Sequence, residues 1–191
     1  MRKYGINPKL IAVMAGVDMS ELPSNPTATH LPGKYAKLVA KNMDKIPPSE
    51  IKNSYRLKCG HCGKTGEYNL GTVAFDPARI ANARNSDKSR ILDCIQVPAY
   101  FRCKHCNGAG KWELAGNPAM LEMGLMAAML LNTCIDSDSS DRFMVGTILV
   151  DGDFRLHWGT DAEEHFLAKL GKDPEDAYRW NRLGNYFYKN G

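Results

Sequence analysis

Two cysteine pairs give this sequence its clearest chemical signal. The motifs Cys59-Gly-His-Cys62 and Cys103-Lys-His-Cys106 each place two thiols three positions apart, and glycine or Asn-Gly follows directly. This spacing lets both sulfurs of a pair point at one ion while backbone amides bend around them. Four such thiolates complete a tetrahedral zinc shell. The sequence therefore predicts one zinc ion, as the cofactor, bound by all four cysteines.

Other uses of the same cysteines stay open. A single C-x-x-C pair also serves as a redox dithiol, but such a site stands near a βαβ pattern that this sequence lacks. Two disulfides would suit a secreted chain, whereas the opening residues contain no apolar signal core. His61 and His105 lie inside the turns and can replace a cysteine as ligand, although four cysteines already fill the shell. Structural zinc is the favoured interpretation.

Strand-like segments flank both pairs. Residues 54–58 and 97–102 lead into the turns, and residues 66–70 and 111–114 lead out, so each pair is predicted to cap a β-hairpin. In these features the stretch 55–114 resembles a zinc ribbon. The resemblance implies a small rigid platform of the kind used in transcription, replication and RNA-handling proteins. Forty residues separate the pairs, so much of that length is predicted to be an insertion.

The C-terminal stretch 161–191 resembles a tetratricopeptide repeat. The positions that carry the likeness are Ala162, Phe166, Pro174, Trp180, Leu183, Gly184 and Phe187. Lys169 departs from the pattern, because a small residue is usual there. The match amounts to half of one repeat and the first helix of the next, which predicts a truncated array. Accordingly, Trp180, Leu183 and Phe187 are predicted to contact a partner protein or a second copy, with Gly184 and Ala162 admitting close helix approach. A plain helical hairpin is the alternative.

The predicted fold class is α+β, in four segments. Residues 1–53 form a basic helical segment, 54–116 the zinc ribbon with its insertion, 117–160 a buried helix plus β-hairpin, and 161–191 the helical hairpin. Asn-Pro pairs at 7–8 and 117–118 are typical helix starts, and the Asp-Pro pair at 76–77 is predicted to begin a short helix or turn. The helix after residue 118 is apolar on nearly all sides, which predicts full burial. Asp-Gly at 151–152 predicts the hairpin turn.

Positive charge is concentrated at the front of the chain. The first 58 residues carry 10 lysines and arginines against 4 acids, whereas the last 77 carry 7 against 12. The candidate phosphate contacts are Lys34, Lys37, Lys41 and Lys45 on one predicted helix, with Arg79, Arg84, Lys88 and Arg90 in the insertion. Such residues hold nucleic acid through its backbone without reading bases. A solvated lysine face is the commoner alternative.

The sequence favours binding over catalysis. It contains no glycine-rich phosphate loop, no G-x-S-x-G elbow and no H-E-x-x-H helix, so it is predicted not to be an enzyme. Thr160 with Glu163 is interpreted as a helix cap, and His165 as a helix-surface residue. The predicted function is a zinc-binding adaptor or scaffold that binds a partner protein and, as a further candidate, nucleic acid.

Two alternatives remain from the sequence. One is a regulatory or targeting front end of an enzyme or effector whose catalytic part lies outside this chain. The other is a structural assembly subunit stapled by zinc. No apolar run approaches the roughly 18 residues that span a bilayer, so a cytoplasmic protein without a membrane partner is expected.

Overall fold

The chain combines helices with small, mainly antiparallel sheets and ends in a pair of helices, so the predicted α+β fold is confirmed. The computed structural model describes residues 5–42, 51–86, 88–134 and 141–190. The helices are α1 (Pro8–Ala15), α2 (Gly33–Asn42), α3 (Pro77–Ser86), α4 (Ala119–Cys134), α5 (Gly159–Leu170) and α6 (Ala177–Asn190). The strands are β1 (Ser54–Cys59), β2 (Thr65–Asn69), β3 (Val73–Phe75), β4 (Ile95–Gln96), β5 (Trp112–Leu114), β6 (Phe143–Val145), β7 (Leu149–Asp151) and β8 (Phe154–Arg155). Within these ranges, no helix combines the length and apolar character needed to cross a membrane.

The first sheet has the order β2-β1-β5, with both neighbours antiparallel to β1. Side chains along β1 alternate between the two faces, so Leu57 and Cys59 are buried while Arg56 and Lys58 are exposed. Because β1 ends at Cys59 and β2 begins at Thr65, the first cysteine pair lies in the turn of a β-hairpin. That part of the prediction is confirmed.

The second cysteine pair does not cap a hairpin, so the prediction for residues 97–102 is wrong. Only Ile95–Gln96 forms a strand there, and it pairs with β3, while β5 pairs with β1. Pro98 has no N–H to offer a neighbouring strand. The amides on either side bond elsewhere: Val97 N donates to His157 O at 2.8 Å, and Tyr100 N donates to Asn190 O at 2.7 Å.

The stretch between the cysteine pairs builds a second sheet of order β4-β3-β6. Strand β3 is antiparallel to β4 and parallel to β6, and the side chains of Phe75, Ile80 and Ile95 are buried around it. Helix α3 begins at the predicted Asp-Pro pair, where Asp76 Oδ1 accepts a hydrogen bond from Ala78 N at 2.9 Å. The insertion therefore supplies a large share of the main hydrophobic cluster.

Helix α4 starts where the sequence predicts, but full burial is wrong. Asn117 Oδ1 accepts a hydrogen bond from Ala119 N at 3.0 Å and so caps the first turn. The buried side chains recur at helical spacing and are Leu121, Leu125 and Ala128. The exposed ones include Met120, Met123, Leu130 and Leu131, between 40% and 73% exposed. An all-apolar helix does not show from its sequence which side meets the core, and here only one side does.

Helices α1, α5 and α6 surround a second hydrophobic cluster. The predicted cap of α1 is confirmed, because Asn7 Oδ1 accepts a hydrogen bond from Lys9 N at 3.0 Å. The predicted cap of α5 by Thr160 with Glu163 is wrong. The helix begins at Gly159, and Asp161 Oδ2 accepts the N–H of the N-cap residue Trp158 at 2.8 Å. Asp161 thus takes the place that the sequence pattern gave to Glu163.

Helix α6 turns its apolar side inward. Leu183 is 2% exposed, and Trp180 and Phe187 are half-buried against the same second cluster. Gly184 lies on the opposite, exposed side with nothing within 4 Å of its Cβ position, so its predicted role in close helix approach is wrong. Ala162, in contrast, is fully buried on α5. Self-association through α6 stays a prediction.

Two glycines of the C-terminal helices predict opposite effects of one substitution. A Cβ at Gly159 would lie 2.5 Å from Ala99 O and 2.6 Å from Pro98 O, and both are backbone atoms. We expect Gly159→Ala to lower the free energy of unfolding by about 2–3 kcal/mol. Gly184→Ala in the exposed middle of α6 should raise it by about 0.5–1 kcal/mol. Urea unfolding of both variants would measure this, and equal effects would contradict the packing described.

Candidate metal centre

The four predicted ligands meet at one point. Cys59 Sγ lies 3.8 Å from Cys106 Sγ, Cys62 Sγ lies 3.7 Å from Cys103 Sγ, and all four sulfurs are within 4.8 Å of one another. Sulfurs placed tetrahedrally at about 2.3 Å from an ion are separated by about 3.8 Å. All four are free thiols. The cluster therefore has the dimensions to hold a metal ion.

The two cysteine turns share one backbone conformation. Cys59 O accepts a hydrogen bond from Gly63 N at 2.8 Å, and Cys103 O accepts one from Asn107 N at 2.9 Å. The φ angle is +71° at Gly63 and +59° at Asn107, in the left-handed region that glycine adopts freely and asparagine tolerates. This requirement explains why glycine or asparagine follows each second cysteine.

Backbone amides point at the sulfurs inside these turns. His61 N donates to Cys59 Sγ at 3.4 Å, and His105 N donates to Cys103 Sγ at 3.5 Å. Hydrogen bonds of this kind favour the thiolate over the thiol, which is the form that binds metal. The backbone of the turns therefore favours ionised sulfur independently of a bound ion.

The two thiols of the second turn, Cys103 and Cys106, differ in pKa. Burial raises the pKa of Cys103, but hydrogen bonds from the amides of Cys106 and His105 and from the neighbouring thiols outweigh it and lower the pKa to about 6. Burial raises the pKa of Cys106 to about 12, and the adjacent sulfurs add to the rise. One thiolate forms easily, and its charge opposes the next. A bound cation would favour the ionised form of the thiols that contact it.

The histidines within the turns do not join the cluster. Both are exposed, and His61 Nε2 is hydrogen-bonded to Ala109 O at 2.8 Å. Among the residues that the structure describes, the cluster contains cysteine sulfur alone. The alternative in which a histidine replaces a cysteine ligand finds no support in this geometry.

An aromatic group packs behind the second turn. Tyr68 lies 4.7 Å from Trp112 and 5.2 Å from Phe101 between ring centroids. Tyr68 Oη accepts a hydrogen bond from Lys104 N at 3.2 Å, which fixes the turn against β2. Burial raises the pKa of Tyr68 to about 12, so its phenol stays neutral at physiological pH. These rings exclude water from the inner side of the site.

Sequence reasoning interpreted Glu163 as a cap residue and missed that it is a buried carboxylate, linked through Arg102 to the second cysteine turn. Glu163 is fully buried, and its Oε2 accepts hydrogen bonds from Asn7 Nδ2 at 2.9 Å, Tyr100 Oη at 3.1 Å and Arg102 Nη1 at 3.2 Å. Burial raises the pKa of Glu163, while these donors and the guanidinium favour its ionised form. The sequence does contain a signal for this burial, because Glu163 lies three residues before Phe166 on the apolar face of α5.

The basic candidates from the sequence lie apart from the cluster's ligands. Lys34, Lys37 and Lys41 are exposed on α2, and Arg79 Nη2 donates to Asp93 O at 3.2 Å on α3. Lys45 lies outside the described residues, as do the side chains of Arg84, Lys88 and Arg90.

A further set of lysines belongs to the cysteine turns themselves, and sequence reasoning did not identify it. Lys64, Lys104 and Lys111 are exposed there, and Lys104 Nζ donates to Glu67 O at 2.6 Å. Lys104 Nζ also lies 4.9 Å from the centroid of the Tyr68 ring, so this lysine packs against β2.

His165 is not the helix-surface residue that the sequence suggested. Its Nε2 lies 2.9 Å from Asp151 Oδ2, its side chain is 18% exposed, and its ring stacks on Phe154 at 4.0 Å. Lys169 Nζ lies 2.5 Å from the same carboxylate oxygen. The group joins the β-hairpin of β7 and β8 to α5, which is a structural role.

This ion-pair group predicts an acid-sensitive contribution to stability. The hydrogen bonds from Lys169 and His165 lower the pKa of Asp151 from 3.8 to about 2. A depressed carboxyl pKa stabilises the fold above the unfolded value, and this contribution is lost as pH falls from about 4 towards 2. After solvent screening it amounts to about 1 kcal/mol. Unfolding measured between pH 5 and 2 should show a smaller decline in Asp151→Asn; an identical decline would refute the assignment.

The chain matches no protein-family model, no curated protein and no solved structure. Its function must therefore be argued from the arrangement of its own residues.

Proposed function

We propose that the cysteine cluster binds one zinc ion and that the chain is a zinc-stabilised binding module. The observation that carries this is the ligand count. Four cysteines at tetrahedral spacing fill the coordination shell, so no position remains for a water or a substrate. Catalytic zinc keeps such a position open, whereas structural zinc does not. The metal is accordingly a staple that holds two turns of the chain together.

The zinc-ribbon resemblance gains support from the first sheet. A three-stranded antiparallel sheet carries the first turn between β1 and β2, and the second turn precedes β5 on the other side of β1. The departure is the insertion, which forms its own sheet with β6. We assign the chain a ribbon that has been enlarged into the core of an α+β domain.

As an adaptor, the chain would bind its partner protein through surfaces that the fold leaves exposed. The half-repeat likeness is supported by the pairing of α5 with α6 and by the buried Ala162. Since Trp180, Leu183 and Phe187 face the chain's own core, a partner or second copy would reach α6 through its outer side. There Tyr178 is 65% exposed and Tyr188 is 75% exposed.

Metal analysis tests the zinc assignment directly. We expect one zinc per chain in reduced protein, and we expect Cys103→Ser to lose it, together with at least about 3 kcal/mol of unfolding free energy, because metal binding contributes to folding. The matched control is Cys94→Ser, which removes a half-buried thiol outside the cluster and should keep full zinc. Absence of metal from the freshly reduced protein, or a disulfide within either pair, would contradict the proposal.

Nucleic-acid binding through α2 is a second candidate function. Lys34 stands in the first turn of α2, where the helix dipole disfavours a cation, and Lys37 and Lys41 follow on the same exposed face. No acid occurs among the ten residues of this helix. A row of exposed lysines along a helix that contains no acid favours contact with phosphate groups.

A salt titration with single-stranded oligonucleotides tests the second candidate. Binding should weaken steeply with salt and vary little with sequence, and changing Lys34, Lys37 and Lys41 to glutamine should reduce the log–log slope by roughly 2. The control replaces the exposed Lys172 and Lys189 by glutamine and should leave the slope unchanged. No binding at low salt, or the same slope in the triple variant, would leave the protein-adaptor role alone.

A further inference from the structure

The second cysteine turn holds the N-terminal segment through one buried side chain. Asn107 is 3% exposed, and its Nδ2 donates hydrogen bonds to Ile6 O at 2.7 Å and to Ser24 O at 3.4 Å. These two carbonyls lie at either end of the segment that contains α1. A residue next to the ligand Cys106 therefore fastens both ends of residues 6–24.

The contact is close enough to require glycine on the other side. A Cβ added to Gly5 would lie 2.1 Å from Asn107 Oδ1 and 3.3 Å from Arg102 Cβ. Real Cβ atoms do not approach so near, so a larger residue at position 5 must displace either the Asn107 carboxamide or the segment itself, and either change breaks the contact. The N-terminal segment and the turn are thus shaped to each other.

The first turn shows that this side chain is not needed to form the turn. Gly63 occupies the corresponding position with the same left-handed backbone, and nothing lies within 4 Å of its Cβ position. The turn therefore does not require the carboxamide of Asn107. Its hydrogen bonds instead hold residues 6–24 against the turn.

A second link runs from the same turn to the start of α1. Arg102 Nε donates to Asn107 O at 3.0 Å, and Arg102 Nη1 donates to Glu163 Oε2 at 3.2 Å. Glu163 in turn accepts from Asn7, whose Oδ1 caps α1. The backbone of the turn and the side chain of Asn107 thus reach the N-terminal segment by two separate routes.

We infer that occupancy of the cysteine cluster controls the docking of residues 5–24. The inference rests on the proposed zinc site: a bound ion holds the 103–107 turn in the conformation that presents Asn107 and Arg102, and an empty cluster releases the segment. Helix α2 begins nine residues after Ser24, so it follows the docked segment closely along the chain. Metal supply would then regulate which surface the N-terminal region offers to a partner.

Hydrogen exchange of the full chain, read by mass spectrometry with and without a zinc chelator, tests the inference. Chelation should speed exchange across residues 5–24 by at least about tenfold, which corresponds to the loss of one or two buried hydrogen bonds. Peptides from the β7–β8 hairpin, whose side-chain contacts are with α5 and α6, serve as the internal reference and should change far less. Unchanged exchange at residues 5–24, or equal acceleration in the β7–β8 hairpin, would overturn a local control of docking by the metal.

Two variants disrupt the contact between Asn107 and residues 5–24 without changing a cysteine of the cluster. Asn107→Gly keeps the left-handed turn and should retain one zinc, yet exchange across 5–24 should rise about tenfold with metal bound. Gly5→Val attacks the same contact from the segment and should do the same. Gly63→Asn, which places the same side chain in the first turn, is the control and should change nothing there.

The possible failures are distinguishable. A chain that binds no zinc in either state refutes the proposed function. If the chain binds zinc, but the Asn107→Gly and Gly5→Val variants protect residues 5–24 from exchange as the parent does, only the metal-dependent docking of this segment is refuted.

Discussion

The meeting of four sulfurs within 4.8 Å constrains the path of the whole middle of the chain. Cys62 and Cys103 are 41 residues apart, so everything between them must leave the cluster and return to it. Closing a loop of this length costs conformational entropy, which rises only slowly with added residues. The loop offsets that cost by forming β3, α3 and β4, whose apolar side chains extend the main cluster. A long insertion is therefore compatible with a small metal site when the insertion folds.

A buried polar group connects the two hydrophobic clusters. Glu163 belongs to α5 at the edge of one cluster, and Arg102 precedes the second cysteine turn at the edge of the other. An ion pair in such surroundings adds little net stability, but removing either partner leaves an uncompensated buried charge that costs several kcal/mol. Its larger effect is on geometry, because Arg102 and Glu163 form their hydrogen bond only when α5 lies in this position against the second cysteine turn.

The sequence predicts what local chemistry determines. The cysteine turns, the asparagine caps of α1 and α4, and the start of α3 at Asp76 all follow from residues within four positions of each other. Most of the errors involve distant partners, although the wrongly assigned cap of α5 is a local one. Strand β5 pairs with β1 from 55 residues away, and Asn7 reaches Glu163 across 156 residues. Neither pairing leaves a local pattern, and the one-sided burial of α4 depends on the distant elements that pack against it, β6 among them.

The hydrogen bond from Tyr100 N to Asn190 O has a consequence for synthesis on the ribosome. The segment leading into the second cysteine turn is supported by the last turn of α6, and Tyr186 Oη also donates to Pro98 O at 2.6 Å. Translation of the residues between Cys106 and Asn190 takes roughly 4–17 s. All four cysteines are therefore synthesised before the last turn of α6, which supports the segment leading into the second cysteine turn. During that interval the nascent chain can take up a metal ion, but it cannot yet hold residues 97–102 in place.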